Sequence, residues 1–456
     1  MQPRPDFELL SADYVQQRQW LQSGRLSAAE LLAAQQQAIA CFNPVINAFI
    51  CQLSPSPAPA GLAPARLKAL SGLCVAVKDN IDIKGVATTA GLAVRKNAIA
   101  ATDAFAVARL RAAGASLTGK LNMHEGALGA TNHNSHFGDC HNPHRAGFTP
   151  GGSSGGSGAA VAAGMVTVAL GSDTMGSIRI PAAYCGVFGF KPSRGAVSNS
   201  GSVPCGRLMD TLGPLARSAR DLTLVSQQLL AFDRQCPEAV RISRRSKLAQ
   251  PLILLVPEDL EALQVSADII ADFAKNLAVF RDMGAIIKPI ALRHYPFAAA
   301  RRAGLLICES DMRLEYAAEW QQQPQGFSAY LQALLAYPDR KTAIDYSAAL
   351  QQITDAAISA RQWLAQGHFM LLPTTPQRAF SLSDAVPANQ ADLTSFANQA
   401  GLPALSLPML SDAALPGGMQ LVGPAGSDFQ LLALAERWQQ HSGFIYRLPA
   451  SLQALC

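Results

Sequence analysis

The chain has 456 residues, of which 49% are apolar and only 15% are charged. This balance excludes a largely disordered protein and favours a large compact globule. The formal net charge is +5 over the whole length, and the densest basic cluster is the short segment 241–247. A short basic turn of this kind is usually a solvated surface, so we expect no nucleic-acid binding.

The cysteines and the N-terminal residues indicate the expected cellular compartment. Nine cysteines are scattered along the chain without a CxxC pair, which is typical of a reducing compartment. Residues 1–7 contain no apolar stretch like that of a signal peptide, and no segment is long enough to span a bilayer. We therefore expect a cytoplasmic protein that does not bind membranes.

The N-terminal segment, about residues 1–50, is predicted to be helical. Ser27 and Glu30 form a capping box, in which the hydroxyl and the carboxylate each accept a backbone N–H at a helix start. The next regular segment is the apolar run 73–77, which predicts a short strand that ends at Lys78.

Two patterns of alternating strands and helices follow. Asp103 is expected to cap a helix that ends at Gly114, before a buried strand at 115–118. A glycine-rich loop at 151–158 leads into an alanine-rich helix near 159–164 and then into an apolar strand at 166–170. This spacing indicates a mostly parallel sheet with helices on its faces.

The second half of the chain continues the α/β pattern. Residues 219–366 are predicted to form a helix-rich insertion, in which no motif suggests chemistry. The apolar segments 369–373, 401–408 and 418–423 predict core strands. Without a repeat or a flexible linker, we expect a single large α/β domain over residues 1–456, with a large mixed β-sheet and helices on both faces.

Glycine and serine are concentrated in the segment 150–157, Pro-Gly-Gly-Ser-Ser-Gly-Gly-Ser. In isolation it fits a tight turn that opens a helix. A phosphate-binding loop would need a lysine directly after it, and none follows. Residues 151–155 also match the Gly-x-Ser-x-Gly nucleophile elbow, which would need a later acid and a later histidine. The later histidines are His294, His368 and His441.

Several motifs in order give the chain a clear resemblance. Gly-Gly-Ser-Ser-Gly-Gly is followed by Gly-Ser-Asp-Thr-Met-Gly-Ser-Ile-Arg at 171–179, and this sequence resembles the amidase signature family. The resemblance covers most of the chain from about residue 70 and implies the α/β fold of that family. The other matching segments are 76–80, 120–125, 142–143, 185–192, 400–404 and 420–424.

The resemblance implies a Ser–cis-Ser–Lys triad. Ser177 would be the nucleophile, Ser153 the bridging serine on a cis peptide bond, and Lys78 the base. A serine hydroxyl is a poor nucleophile until a neighbour takes its proton, and an amine accepts a proton only when it is uncharged. Burial behind an apolar strand would lower the pKa of Lys78 accordingly. Simpler interpretations are a surface lysine at position 78 and a helix N-cap at Ser177.

The resemblance also implies supporting roles around the triad. The backbone amides expected to form the oxyanion hole are those of Thr174, Met175, Gly176 and Ser177. The residues expected to fix the loops by hydrogen bonds are Asp173, Arg179 and Ser154. The residues expected to line the substrate pocket are Met123, His124, Ala127 and Leu128. The family often has glycine at the position of Met175, where a thioether would narrow the acyl pocket.

A cluster of histidines suggests a different class of protein. Five of the eight histidines lie between His124 and His144, together with Asp139 and Cys140. Imidazole and thiolate suit zinc, so a non-catalytic metal- or ligand-binding protein is an alternative. No CxxC pair or helical HxxxH frame supports it, and the resemblance needs no metal there. We expect neither a metal nor another cofactor.

The predicted function is hydrolysis of a linear carboxylic amide to the acid and ammonia or an amine, through an acyl-enzyme on Ser177. The substrate would be a small molecule, and the resemblance favours a homodimer with a possible small accessory subunit. Two related alternatives are a ureido-type hydrolase, acting on carboxybiuret- or allophanate-like compounds, and a glutamine-hydrolysing amidotransferase subunit. Met-His-Glu at 123–125 favours the amidase, because amidotransferase subunits usually have Met-Asp-Glu there.

Overall fold

The computed structural model describes residues 5–54, 68–292 and 295–455. A mixed sheet of 11 strands lies at the centre of the described fold. The strands in chain order are β1 (Phe49–Gln52), β2 (Cys74–Lys78), β3 (Ser116–Leu121), β4 (Val168–Asp173), β5 (Phe188–Lys191), β6 (Thr211–Ala216), β7 (Ile253–Pro257), β8 (Ile286–Ile290), β9 (Phe369–Pro373), β10 (Ala404–Pro408) and β11 (Gly418–Val422).

The strands lie in the order β1-β3-β2-β4-β6-β5-β10-β11-β9-β7-β8. Strands β3, β2 and β4 form one parallel group, and strands β9, β7 and β8 form another. All pairings along the stretch from β4 to β9 are antiparallel, and β1 is antiparallel to β3. The predicted large mixed sheet is therefore confirmed. The expectation of a mostly parallel sheet was wrong, because six of the ten pairings among the described strands are antiparallel. The predicted strand at 369–373 coincides with β9, and those at 401–408 and 418–423 contain β10 and β11.

Helices cover both faces of this sheet. They are α1 (Phe7–Ser11), α2 (Tyr14–Ser23), α3 (Ala28–Ile46), α4 (Phe105–Ala112), α5 (Gly155–Ala162), α6 (Arg179–Cys185), α7 (Ala219–Leu229), α8 (Ala267–Asp282), α9 (Phe297–Glu315), α10 (Ala317–Gln322), α11 (Ala329–Leu335), α12 (Ala343–Leu364), α13 (Asp392–Gln399), α14 (Asp428–Ser442) and α15 (Ala450–Gln453). Because side chains alternate along a strand, Val75 and Val77 of β2 join the core that contains α4 and α7, whereas Ala76 joins the core that contains α3 and α5.

Local sequence signals set several element boundaries. Ser27 Oγ accepts from Glu30 N at 3.1 Å and a Glu30 carboxylate oxygen accepts from Ser27 N at 2.7 Å, so the predicted capping box begins α3. Helix α5 begins at Gly155, inside the glycine run and earlier than predicted. A Cβ at Gly156 would lie 2.4 Å from Asn122 O, so glycine allows this buried helix to approach the backbone next to β3.

One local prediction was wrong and another was incomplete. Asp103 does not cap α4, because Asp103 Oδ1 accepts from Lys84 N at 2.8 Å and its other oxygen pairs with Arg111. The predicted helix-rich insertion at 219–366 also contains strands β7 and β8. Strand β8 is the edge strand and is largely exposed, so it lacks the apolar pattern of the central strands. Among the described helices, none is long and apolar enough to cross a membrane.

Candidate active site

Lys78 lies at the end of β2, the third strand from one edge of the sheet, and is fully buried. Its Nζ atom is 2.7 Å from Ser153 Oγ and 2.8 Å from Ser172 Oγ, and it donates a longer bond of 3.5 Å to Ser172 O. The interpretation of Lys78 as a surface lysine at a strand end is therefore wrong. The side chain is instead held among hydroxyl groups.

The buried environment of Lys78 favours an uncharged amine. Burial lowers the pKa of Lys78 to about 7, against the opposing effects of Cys205, Asp210 and Asp173. Within the described residues, no carboxylate lies within ion-pairing distance of its Nζ atom. A neutral amine has two N–H donors and one lone pair. The distances fit donation to the Ser172 oxygens and acceptance of the Ser153 hydroxyl proton.

Ser153 lies in the glycine-rich loop, and the Gly152–Ser153 peptide bond is cis. Its side chain is fully buried, and its carbonyl oxygen accepts from His124 N at 3.1 Å. The next residue joins this loop to the second motif, because Ser154 N donates to Ser177 O at 3.2 Å. The Ser154 hydroxyl donates to Ser172 O at 3.0 Å, which adds a link to the end of β4.

Ser177 lies in the tight turn between β4 and α6. Helix α6 begins at Arg179, and its N-cap residue is Ile178, without a side-chain cap. The interpretation of Ser177 as a helix N-cap is therefore wrong. Its exposed fraction is 8%, whereas Lys78 and Ser153 have none, so Ser177 is the one of these three residues that retains contact with solvent.

The backbone amides of the turn 174–177 have different partners. Gly176 N donates to Asp173 Oδ1 at 2.7 Å, so this amide, expected in the oxyanion hole, holds the turn instead. Within the described residues, the amides of Thr174, Met175 and Ser177 donate to no protein acceptor. The turn requires glycine at position 176, where φ is +133° and a Cβ would lie 2.3 Å from Thr394 Oγ1. Thr174 contributes its hydroxyl, which donates to Asp210 Oδ1 at 2.6 Å.

An ion pair anchors the same turn. Asp173 and Arg179 form two hydrogen bonds of 3.0 Å each, and neither side chain is exposed. Burial acts to raise the pKa of Asp173, but the Arg179 guanidinium outweighs this effect and lowers the pKa to about 2. The remaining guanidinium donors bind Thr394 O, Gln420 Oε1 and Asn398 Oδ1. All donors face acceptors, so the turn is rigidly placed.

The residues predicted to line the pocket are all buried beside the glycine-rich loop. Met123, Ala127 and Leu128 belong to an apolar cluster that includes residues of α9 and α11, and Met175 packs against it. The Met175 thioether faces α9, where a Cβ at Gly304 would lie 2.9 Å from its sulfur. Burial lowers the pKa of His124 to about 3, so its imidazole is neutral near pH 7.

The other histidines of the cluster do not gather around a common point. Within the described ranges, no group of three His, Cys, Asp or Glu side chains has the arrangement of a metal site. The histidines have separate partners, which are Asp139 for His133, Glu125 for His136, Cys185 O for His144 and Gly147 N for His141. This arrangement gives no support to the metal-binding alternative.

The later histidines give no support to a nucleophile elbow. His368 Nδ1 accepts from Ile253 N at 2.9 Å beside β7, near the opposite edge of the sheet. His441 lies at the exposed end of α14, and His294 is outside the described residues. Ser153 is hydrogen-bonded to Lys78 instead.

Other residues of the site were missed by the sequence interpretation. Ser172 lies in the Gly-Ser-Asp-Thr motif and Asn80 in the motif that contains Lys78, and Asn80 Nδ2 donates to Ser172 Oγ at 3.1 Å. Both could have been found from their place in these motifs. Asp210 precedes β6 and lies in no motif. Burial raises its pKa to about 6, and it accepts from Cys205 N and Gly206 N.

A large mixed α/β sheet that places a buried lysine within hydrogen-bonding distance of a loop serine fits the fold and the motifs of the amidase signature family. A family model described as Amidase matches residues 30–432. The chain belongs to this family, and the predictions of an amidase signature enzyme and of its fold are confirmed.

Known relatives agree with this assignment. The chain is 36% identical over 400 residues to the A-subunit of the glutamyl-tRNA(Gln) amidotransferase of Thermus thermophilus, covering 81% of this chain and 85% of the relative. One similar solved structure is a chain of a vestigial protein complex that reveals the evolutionary origins of an s-triazine catabolic enzyme. It is 30% identical with a TM-score of 0.85, and the match covers 96% of this chain and 100% of that chain. The peptide amidase of Stenotrophomonas maltophilia is 27% identical with a TM-score of 0.83, covering 97% and 99%.

Proposed function

We propose that the chain hydrolyses a linear carboxylic amide to the acid and ammonia or an amine, through an acyl-enzyme on Ser177. The observation that carries the proposal is the 2.7 Å contact between Lys78 Nζ and Ser153 Oγ in a fully buried setting. A lysine whose pKa is about 7 is half uncharged near neutral pH and is therefore a usable base.

In the proposed acylation step, Ser177 Oγ attacks the amide carbonyl carbon and a new C–O bond forms. The Ser177 proton passes to Ser153, and the Ser153 proton passes to the Lys78 lone pair. The C–N bond then breaks, and the proton held by Lys78 returns through Ser153 to the leaving nitrogen. The product is an ester on Ser177 and free ammonia or amine.

The proposed deacylation step repeats this route with water. Water adds to the ester carbon while Lys78 accepts its proton through Ser153, and the same proton returns to Ser177 Oγ as the acid leaves. In both steps the negative oxygen of the tetrahedral intermediate needs donors. The amides of Met175 and Ser177 are free to supply them, since they have no protein acceptor in the described chain.

A panel of amides with matched variants tests the proposal. Wild-type protein should release ammonia or amine from at least one of a set of aliphatic, aryl and ureido amides, and EDTA should not change the rate. Ser177→Ala, Ser153→Ala and Lys78→Met should each lose at least about 1,000-fold in kcat. Ser157→Ala is the matched control, because Ser157 Oγ donates to Leu170 O and touches none of the three.

The result for the Ser177 variant decides the assignment of the nucleophile. Undiminished hydrolysis by Ser177→Ala would assign the covalent step to another group. A wild-type protein that hydrolyses no member of the panel would refute the proposed activity itself. Circular dichroism of each variant separates loss of chemistry from loss of fold.

A glutamine-hydrolysing amidotransferase subunit is the second candidate. Similarity to the A-subunit of the Thermus thermophilus amidotransferase favours it, and so does 31% identity to that of Methylococcus capsulatus over 95% of this chain. Glutamine and allophanate therefore belong in the panel. A marked preference for glutamine would support the second candidate, and a preference for allophanate would support the ureido-type alternative.

Assembly and location stay predictions of the proposed function. We expect a homodimer, which sedimentation velocity of the purified chain would detect, and the amidotransferase relatives add a reason to look for a small accessory subunit. Co-purification from the native host, with the cytoplasmic fraction as the expected source, would reveal it.

A further inference from the structure

A buried carboxyl group without a partner lies on helix α9. Glu309 is only 4% exposed, and its Oε2 atom makes no hydrogen bond. Among the described residues, no lysine, arginine or histidine forms an ion pair with it. Buried carboxylates are normally paired or fully hydrogen-bonded, so this group requires an explanation.

The face of α9 next to Glu309 forms one wall of the candidate active site. A Cβ at Gly304 would lie 2.9 Å from the sulfur of Met175, in the turn that precedes Ser177. One helical turn further on, the Cys308 sulfur would be 2.8 Å from a Cβ at Gly206. Contacts on both sides therefore hold this part of the helix against the catalytic loops.

The following turn of α9 reaches the loop after β3. The Met312 methyl group would lie 2.6 Å from a Cβ at Gly126, which belongs to the segment predicted to line the pocket. Residues 309 and 312 lie one turn apart on the same face of a helix. Glu309 therefore shares the face of α9 that packs against the segment 123–128.

A second set of contacts links Glu309 to Ser153. A Cβ at Gly126 would lie 3.3 Å from Leu331, the neighbour of Tyr330 in α11, as well as 2.6 Å from Met312. Burial and then the negative charge of Glu309 raise the pKa of Tyr330. The Tyr330 ring is 6.0 Å from the His124 ring, and His124 N donates to Ser153 O at 3.1 Å. Tyr330 is 58% exposed, so it stands where the site opens to solvent.

The other buried carboxyl groups near the site have partners within the protein. Glu125 Oε1 accepts from His136 and from Ser328 N, and Asp210 accepts from Thr174 and two backbone amides. Glu309 differs from both, although it lies on the wall of the same site. A positively charged or N–H-rich group in the substrate would supply the hydrogen-bond donors that the protein does not provide for Glu309.

We propose that Glu309 determines substrate specificity by binding a cationic nitrogen, such as a protonated amine, on the acyl part of the substrate. The inference rests on the proposed function and deepens it, since it names the class of amide. The acyl part is implicated because α9, which carries Glu309, packs against both Met175 and the loop 123–128, which we assign to the acyl pocket. The carboxylate would accept two or more N–H bonds there.

Two isosteric amides test this proposal. In 4-aminobutanamide an ammonium group replaces the terminal methyl group of pentanamide, and both release ammonia. Wild-type enzyme should prefer 4-aminobutanamide in kcat/KM by about 10- to 100-fold, as expected for hydrogen bonds to a charged group. Glu309→Gln should lose this preference while its kcat/KM for pentanamide stays within about threefold. Glu315→Gln, at the last residue of the same helix, where Glu315 pairs with Arg207, is the control and should retain it.

A binding measurement separates this inference from the proposed activity. Titration calorimetry of Ser177→Ala with 4-aminobutanamide needs no turnover, and the added Glu309→Gln change should weaken binding by about 10- to 100-fold. Thermal unfolding gives an independent result. Burial raises the pKa of Glu309 to about 7, so near pH 8 most of the protein carries an unpartnered buried carboxylate. At that pH its replacement by glutamine should leave Tm unchanged or raise it, whereas replacement of a structural glutamate would lower it.

The outcomes are distinct. Equal binding of the two amides, or a preference that survives Glu309→Gln, would overturn the assignment of Glu309 even if amides are hydrolysed. Binding that depends on Glu309 without any hydrolysis would support this inference and refute the proposed chemistry. A lower Tm for Glu309→Gln together with unchanged selectivity would make Glu309 a structural residue.

Discussion

Acidification should inactivate the enzyme through Lys78. Burial lowers the pKa of Lys78 from 10.5 to about 7, a change that corresponds to about 5 kcal/mol in favour of the uncharged amine. Only this form accepts a proton from Ser153. The active fraction therefore falls as pH decreases through about 7, and the charged form that accumulates below that pH has no lone pair to offer.

The expected size of the effect follows from this value. About nine-tenths of the protein has an uncharged Lys78 at pH 8, about half at pH 7, and about one-hundredth at pH 5. At substrate concentrations far below KM, the rate of ammonia release gives kcat/KM for the free enzyme. It should fall about tenfold per pH unit below the midpoint, with a slope of one proton.

A second buried group titrates nearby and needs a control. Burial raises the pKa of Asp210 to about 6, and its carboxylate in turn raises the pKa of Lys78. We call the fall in kcat/KM below about pH 7 the acid limb. If Lys78 causes it, the acid limb should remain in Asp210→Asn and move to lower pH; if Asp210 causes it, the acid limb should vanish. A rate that stays flat from pH 8 to pH 5 would refute the role of Lys78 as proton acceptor.

Three substitutions give further tests. Ser172→Ala removes an acceptor 2.8 Å from Lys78 Nζ, so kcat/KM should fall about tenfold. A pH–rate profile should show the acid limb at a pH lower by about one unit. Arg179→Met leaves Asp173 buried and unpaired, so urea unfolding at pH 7 should show a loss of about 3–5 kcal/mol. Met175→Ala should raise the kcat/KM ratio of hexanamide to acetamide about tenfold, because it shortens the side chain between the turn and α9.

Each substitution has a matched comparison. Ser157→Ala removes a hydroxyl that bonds to Leu170 O, so it should leave the acid limb in place. Arg25→Met removes an exposed ion pair with Glu8 and should change the free energy of unfolding little. An unmoved acid limb in Ser172→Ala, a fully stable Arg179→Met protein or an unchanged hexanamide preference would each contradict the corresponding argument.

The same ion pair has a defined pH dependence. The folded-state pKa of Asp173 is lowered from 3.8 to about 2, so its contribution to stability is fully present above pH 3.8. This contribution is lost as pH falls through about 2, where the carboxylate becomes protonated in the folded protein as well.

Much of the fold and the centre of the site could be predicted because their signals are local. The strand β9 is an unbroken apolar run, and the buried strand before Lys78 is another. Glycines that permit close backbone approach stand beside Ser153 in a motif that the sequence shows directly. These features depend on residues within a few positions of one another.

The remaining features depend on packing between distant segments. Ser172 faces Lys78 only because β2 and β4 are adjacent in the sheet, and Asp210 is brought there by β6. Glu309 follows three apolar residues of α9 that are buried, yet a single glutamate in a helical pattern resembles a surface residue. Strand β8 was not predicted, because this exposed edge strand has no alternating apolar pattern.

The charges of the site explain why an arginine and a lysine both lie there. Asp173 is close enough to raise the pKa of Lys78, so an unpaired carboxylate at this position would favour the ammonium form and remove the base. Arg179 compensates that charge through two hydrogen bonds while it fixes the turn that carries Ser177. A guanidinium stays charged in proteins, whereas the amine of a buried lysine readily loses its proton. Arg179 therefore limits the effect of Asp173 on Lys78, whose amine is kept uncharged by burial. Exchanging the two residue types would lose both the ion pair that anchors the turn and the proposed base.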